Sequence, residues 1–154
     1  MTSSIILDRY DVVFVINDYT EVFNCGGKKK TCPRKSQMLE DALFNTKAFV
    51  FPYPSYHKYI LDKPQYYTSL QNANIPVVPF FRSTPEDILK SIPDFREKVV
   101  KNGWKGIIIK PTLAGYSIGI KVYANFSIVT NTQLKKQFEK MKKYGYPSFT
   151  VAEF

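Results

Sequence analysis

The sequence predicts an α/β chain of two parts, a βαβ lobe over residues 1–60 and an α+β lobe over 61–154. Three observations carry this. "DVVFVI" (11–16) and "KAFVFP" (47–52) are β-branched and aromatic runs separated by a helical pattern, which is a βαβ unit with an expected right-handed crossover. "WKGIIIKP" and "SIGIKVYA" are apolar runs joined by a glycine-containing loop, which predicts an antiparallel hairpin. A strongly amphipathic segment, 131–144, is followed by a final strand, "SFTVAEF" (148–154).

The elements follow in order. The continuous apolar run 11–16 predicts a strand buried in a parallel sheet. A polar loop rich in Asn, Gly and Lys runs to about Arg34, and Pro33 can open the next helix. There Met38, Leu39, Ala42 and Leu43 recur at helical spacing. Pro52 and Pro54 stop the second strand, and "PYPSYHKYILDK" is expected to be a connection. Residues 64–73 predict a helix with Pro64 in its first turn. "IPVVPFF" (75–81) is extended but interrupted by Pro76 and Pro79, as in an edge strand or linker. Thr84, Pro85, Glu86 and Asp87 form a helix start. Pro93 should break or restart that helix and Gly103 should end it. In the second hairpin strand, Ile118, Ile120 and Val122 are expected to share one face, with Lys121 and Tyr123 on the other. Thr130 or Asn131 should cap the 131–144 helix, Leu134, Phe138 and Met141 should form its buried stripe, and Gly145 should close it.

Composition narrows the function. The aromatic fraction is 16%, with 11 Tyr and 12 Phe, which is a globular composition. A chain of this length can bury about 68–70% of its unfolded surface and needs no staples. No apolar run approaches the roughly 20 residues of a membrane span, and the N-terminus lacks a secretion signal, so an intracellular, cytoplasmic protein is expected. Cys25, Cys32 and His57 are too few for a typical four-ligand zinc site. Free thiols are the expectation for the two cysteines, with a Cys25–Cys32 disulfide as the alternative. The net charge of +9 invites a nucleic-acid reading, yet the lysines cluster in Lys28–Lys30 and in "KKQFEKMKK" without a recognition signature. A solvated surface, or attraction to a small anion, accounts for the charge better.

The chemistry concentrates in "GIIIKPTLAGYSIGIK" (106–121). Lys110 ends an apolar strand, so burial fixes its backbone while the stem carries an ammonium outward, as a phosphate site requires. The common alternative is a snorkelling lysine at a strand end. Gly115 and Gly119 would let backbone N–H groups approach an anion, and Ser117 adds a hydroxyl; an ordinary hairpin loop would also contain glycine. The P-loop pattern is absent, because Gly26-Gly27-Lys28 is followed by Lys29, and so is the Rossmann G-x-G-x-x-G.

In order, "DVVFVI", "MLEDALFNTKAFVFPYPSYHKYILDK", "NIPVVPFF", "GIIIKPTLAGYSIGIKVY" and "FTVAEF" resemble the ATP-grasp superfamily, in particular D-alanine–D-alanine ligase-like carboxylate–amine ligases. The resemblance covers about residues 10–154. It implies a partial, Rossmann-like pre-ATP-grasp lobe (1–60), then an N-terminal ATP-grasp subdomain (61–154) ending at the adenine hinge. It implies that Lys63 and Lys110 meet the phosphates of ATP, that Gly115, Ser117 and Gly119 belong to the loop closing over the triphosphate, and that Glu153 meets the adenine edge. Without the resemblance, Lys63 would read as a surface lysine at a helix start and Glu153 as a terminal surface acid.

The resemblance implies an ATP-dependent ligase that activates a carboxylate as an acyl-phosphate for attack by an amine. The substrate carboxylate is the nucleophile, so no catalytic side chain is assigned here. The family's C-terminal lobe, which holds Mg2+, has no counterpart in the sequence, so a truncated chain inactive by itself is expected, completed by a complementing lobe or a second copy. The alternative is an inactive, degenerate ATP-grasp module serving binding or assembly. Nucleotide and small carboxylate and amine substrates are the expected partners, with no membrane and no nucleic acid.

Overall fold

The computed structural model describes residues 6–16, 33–114, 117 and 119–154. Cys25, Cys32, Lys28–Lys30, Gly115 and Ile118 lie outside the described residues.

Strand β1 (Val12–Phe14) pairs in parallel with β2 (Phe49–Phe51), and helix α1 (Pro33–Asn45) lies between them in sequence. The expected βαβ order is present, but the expected burial of β1 holds for one face only. Val13, Val15 and Val50 pack against Leu7, Leu43 and Leu61. Val12, Phe14, Phe49 and Phe51 on the other face are exposed. The reason is that a parallel sheet needs a layer on each side, and the described residues supply one. The helical stripe of α1 is likewise narrower than its spacing predicts: Ala42 and Leu43 are buried, whereas Met38 and Leu39 are exposed.

Residues expected to be a connection form helix α2 (Pro54–Leu61), followed at once by α3 (Lys63–Asn72). Proline occupies the first turn of both, where its missing N–H costs nothing. The N-cap of α2, Tyr53, makes no side-chain capping bond, so the usual polar start signal is missing.

A four-stranded sheet in the order β3-β6-β4-β5 forms the centre of the second part. β3 (Phe80–Ser83) is an edge strand, as expected, beginning just after Pro79. β6 (Phe149–Glu153) runs antiparallel to both β3 and β4 (Ile107–Pro111), and β4 forms the expected hairpin with β5 (Lys121–Tyr123). Register divides the sheet into two faces. Ile107, Ile109, Phe149, Val151, Phe81 and Tyr123 share one; Ile108, Lys110, Thr150, Ala152, Phe80 and Arg82 share the other. The expected alternation along β5 is present, Lys121 and Tyr123 on one face and Val122 on the other; it is Tyr123 that packs against the core, while Val122 is exposed.

Helices α4 (Pro85–Lys90), α5 (Ile92–Lys101) and α6 (Asn131–Tyr144) contribute to the core on the first face. Ser91 separates α4 from α5 and caps the latter, accepting from the Asp94 N–H, so the chain restarts a helix at Pro93 as expected. Thr130 and Gln133 form a reciprocal capping box on α6, and Gly145 ends it at φ 73°. Leu134, Phe138 and Met141 are buried. Phe138 stacks on Phe149 with centroids 5.1 Å apart and meets Phe95 edge-on at 5.4 Å. Each such buried side chain contributes about 1.5–3 kcal/mol of apolar transfer.

Candidate functional site

The second face of the sheet carries the candidate site. Alternation puts Lys110 on this face, because the buried neighbours Ile107 and Ile109 take the other side of β4. Helix α3 approaches the same face through Tyr67, whose ring meets Phe80 edge-on at 5.3 Å. The Lys110 ammonium donates to Tyr67 Oη at 3.3 Å and lies 5.8 Å from the ring centroid.

Lys63 is the first residue of α3 and arrives at the same place from the other direction. Its Nζ donates to the Ala114 carbonyl at 3.0 Å. Burial is the main cause holding its ammonium below the usual lysine range; the charge of Lys110 adds to this, and Asp62 opposes it. The fold thus brings two cations, 47 positions apart in sequence (110 − 63), within each other's electrostatic reach.

The loop root is tied to the helix junction. Leu113 N–H donates to the Leu61 carbonyl at 3.0 Å, and Thr112 N–H donates to the Ser148 carbonyl at 3.0 Å. Leu113 and Ser117 both have left-handed backbone, at φ 55° and 59°. Ser117 is exposed.

The other sequence-predicted residues fall elsewhere. Gly119 has φ 76°, and a Cβ there would stand 2.8 Å from Pro111 Cγ and 3.0 Å from Tyr146 Oη. It lines a cleft of about 420 Å³ together with Lys121, Lys140 and Tyr144, so close packing accounts for its glycine. Glu153 ends β6, exposed, its N–H donating to the Pro79 carbonyl at 3.1 Å. Register aligns it with Ile107, on the face away from Lys110. Gly115 lies outside the described residues.

Sequence reasoning missed Tyr67, Asp62, Arg82, Thr112 and Ser148. Arg82 Nη1 lies 3.8 Å from Asp62 Oδ2, and its Nε donates to Ser148 Oγ at 3.1 Å. Thr112 and Ser148 are both buried, their hydroxyl oxygens 2.9 Å apart. An arginine between phenylalanine and serine on an edge strand was the available signal for Arg82. Nothing local marks Thr112 or Ser148. Among the described residues no group of three or more His, Cys, Asp and Glu side chains gathers, so they offer no acidic site of that kind for Mg2+.

No protein-family model matches the sequence, and no curated protein matches it. Solved structures do match in fold. D-cycloserine synthetase DcsG superposes with a TM-score of 0.62 at 16% identity, over 96% of this chain and 44% of its own. The D-alanine–D-alanine ligase from Coxiella burnetii gives 0.61 at 18% identity, over 94% of this chain and 37% of its own. The chain has an ATP-grasp-like fold and spans less than half the length of either enzyme.

Proposed function

We propose that this chain contributes the phosphate-binding part of an ATP-dependent carboxylate–amine ligase. The observation carrying this reading is the Lys63–Lys110 pair, two partly buried ammonium groups that repel each other on one face of the sheet. Such a pair is costly without an anion and is matched by a polyphosphate, whose oxygens accept from both. The fold likeness to a ligase and a synthetase supports the same reading.

ATP bound there would supply the phosphoryl group that turns a carboxylate into an acyl-phosphate, from which an amine displaces phosphate. Lys63 and Lys110 would offset the charge on the phosphate oxygens as it redistributes. Gly115, Ser117 and Gly119 would belong to the loop over the phosphates, with Glu153 at the adenine edge. On this reading residues 1–60 form the preceding lobe and 61–154 the nucleotide-facing subdomain, in a cytoplasmic protein. The carboxylate and amine are small molecules. Any Mg2+ bound with the nucleotide would need ligands beyond the described residues, so no step is assigned to it.

Titration calorimetry with ATP, ADP and AMP, with and without Mg2+, tests this. Wild type should bind ATP more tightly than AMP, and Lys110→Ala should weaken ATP by about tenfold or more, the loss of one charge-assisted contact. Equal binding by the two proteins would remove the site assignment.

A second reading, a binding or assembly module without turnover, draws on the exposed apolar face of β1 and β2. It predicts no affinity difference between wild type and Lys110→Ala for any nucleotide.

A further inference from the structure

Asp62 stands beside the lysine pair and could cancel much of its charge. It precedes Lys63 and caps α3, accepting from the Gln65 N–H at 3.5 Å. That long cap bond engages only Oδ1, and the carboxylate's direction relative to Lys63 also depends on what its second oxygen, Oδ2, meets. Oδ2 faces Arg82 Nη1 across the strand-to-helix gap, at 3.8 Å.

The other side of the same guanidinium is also engaged, and proton counting fixes the direction of each bond. Thr112 has one hydroxyl proton, which it donates to the Ser148 carbonyl at 2.9 Å. Ser148 must then donate its own hydroxyl proton to Thr112 Oγ1, at 2.9 Å. That leaves the Ser148 oxygen to accept from Arg82 Nε, at 3.1 Å. The chain Asp62–Arg82–Ser148–Thr112 runs without a mismatch from the cap of the lysine-bearing helix to the root of the loop. Arg82 joins its two ends.

We propose that Arg82 is a positioning residue for the cation pair: it holds the Asp62 carboxylate away from Lys63 and ties it to the loop root at Thr112. Lys63 and Lys110 then keep their net positive charge for a polyanion. The inference rests on the reading of that pair as a phosphate site, and it adds a residue whose part is to keep a nearby carboxylate from neutralising it. Arg82 need not touch the ligand.

The test compares wild type with Arg82→Ala, Arg82→Gln, Arg82→Lys, Asp62→Asn and the Arg82→Ala/Asp62→Asn double variant. Two quantities are read: the titration midpoint of the Lys63 side chain by NMR in ligand-free protein, and the affinity for inorganic tripolyphosphate and ADP. Asp62 and Lys110 are the charged groups acting on Lys63, so their charges are followed in the same spectra. In Arg82→Ala, Asp62 is released toward Lys63; the midpoint should rise and tripolyphosphate should bind roughly five- to tenfold more weakly, the effect of one partly exposed charge. The double variant should recover both. Arg82→Lys should keep the wild-type midpoint, because its charge still holds Asp62. Asp62→Asn alone should lower the midpoint, and Arg82→Gln, which removes the charge while keeping a hydrogen-bonding side chain, should raise it as Arg82→Ala does; an unchanged midpoint in Arg82→Gln would overturn the proposal if Arg82→Ala fails to fold.

An unchanged midpoint in Arg82→Ala, or a double variant no better than the single, would overturn the proposal and leave Arg82 a packing residue. If the midpoints move as expected but no protein, wild type included, binds either anion, the hold on Asp62 stands and the nucleotide reading falls.

Discussion

Lys63 Nζ donates to the carbonyl oxygen of Ala114, 3.0 Å away and 51 positions distant in sequence. One bond joins the start of a helix to the root of the hairpin loop. It places a cation where the loop leaves the sheet, next to Lys110, and the main consequences for ligand binding follow from that position.

Lys63→Met should lower ATP affinity by about tenfold or more while leaving stability at neutral pH nearly unchanged. The pH dependence follows from the lowered pKa of Lys63. Between that value and the ordinary lysine range the unfolded chain binds more protons than the folded one, so this group makes stability rise with pH through that window. Tyr123 and Tyr146 act the other way, because burial pushes their hydroxyls up and stability falls as the unfolded tyrosines ionise. Urea denaturation of both proteins from neutral to alkaline pH isolates the lysine: the wild type should gain on the variant as pH rises. A constant difference would contradict the burial of Lys63.

Gly119→Ala should destabilise the chain by about 1–3 kcal/mol, as overpacking at a left-handed position does. The new methyl would meet Pro111 Cγ at 2.8 Å and Tyr146 Oη at 3.0 Å. Pro111 follows Lys110 directly, so a shift there should also weaken nucleotide binding. Thermal unfolding and calorimetry of the same sample would separate the two effects; an unchanged melting temperature would count against the close packing.

Thr150→Val should stabilise the protein. Thr150 is fully buried in the central strand, and among the described residues its Oγ1 has no hydrogen-bond partner. A buried unsatisfied hydroxyl costs about 1–3 kcal/mol, and valine fills nearly the same space. The melting temperature should rise by a few degrees, about 2–4 °C per kcal/mol at this size. A fall would mean that the hydroxyl is satisfied in solution, for example by a trapped water.

Thr130→Ala should cost about 1 kcal/mol by removing a cap. The Thr130 hydroxyl accepts from the Gln133 N–H at 3.2 Å, and the Gln133 side chain accepts from the Thr130 N–H at 2.8 Å. Nucleotide affinity should stay at the wild-type level, because α6 packs on the opposite face from Lys110. Loss of binding without loss of helix content by circular dichroism would refute that separation.

Elements with local causes could be read directly from the residues. The cap of α6 at Thr130 or Asn131, its Leu134–Phe138–Met141 stripe, the restart at Pro93 and the hairpin through Lys110 were legible because each rests on residues close to one another in sequence. Helix α2 was not legible, since prolines and tyrosines outweighed a helical pattern stabilised by packing. The exposed face of β1 was not legible either, because an apolar run does not say whether a second layer exists to cover it. It took the folded chain to bring Lys63 within electrostatic reach of Lys110, to set Glu153 on the other face of the sheet, to pack Gly119 on Pro111, and to place Arg82 3.8 Å from Asp62. Those facts depend on which face each strand turns to α3, and strand register and helix docking are fixed by burial summed over the whole sheet rather than by any one segment.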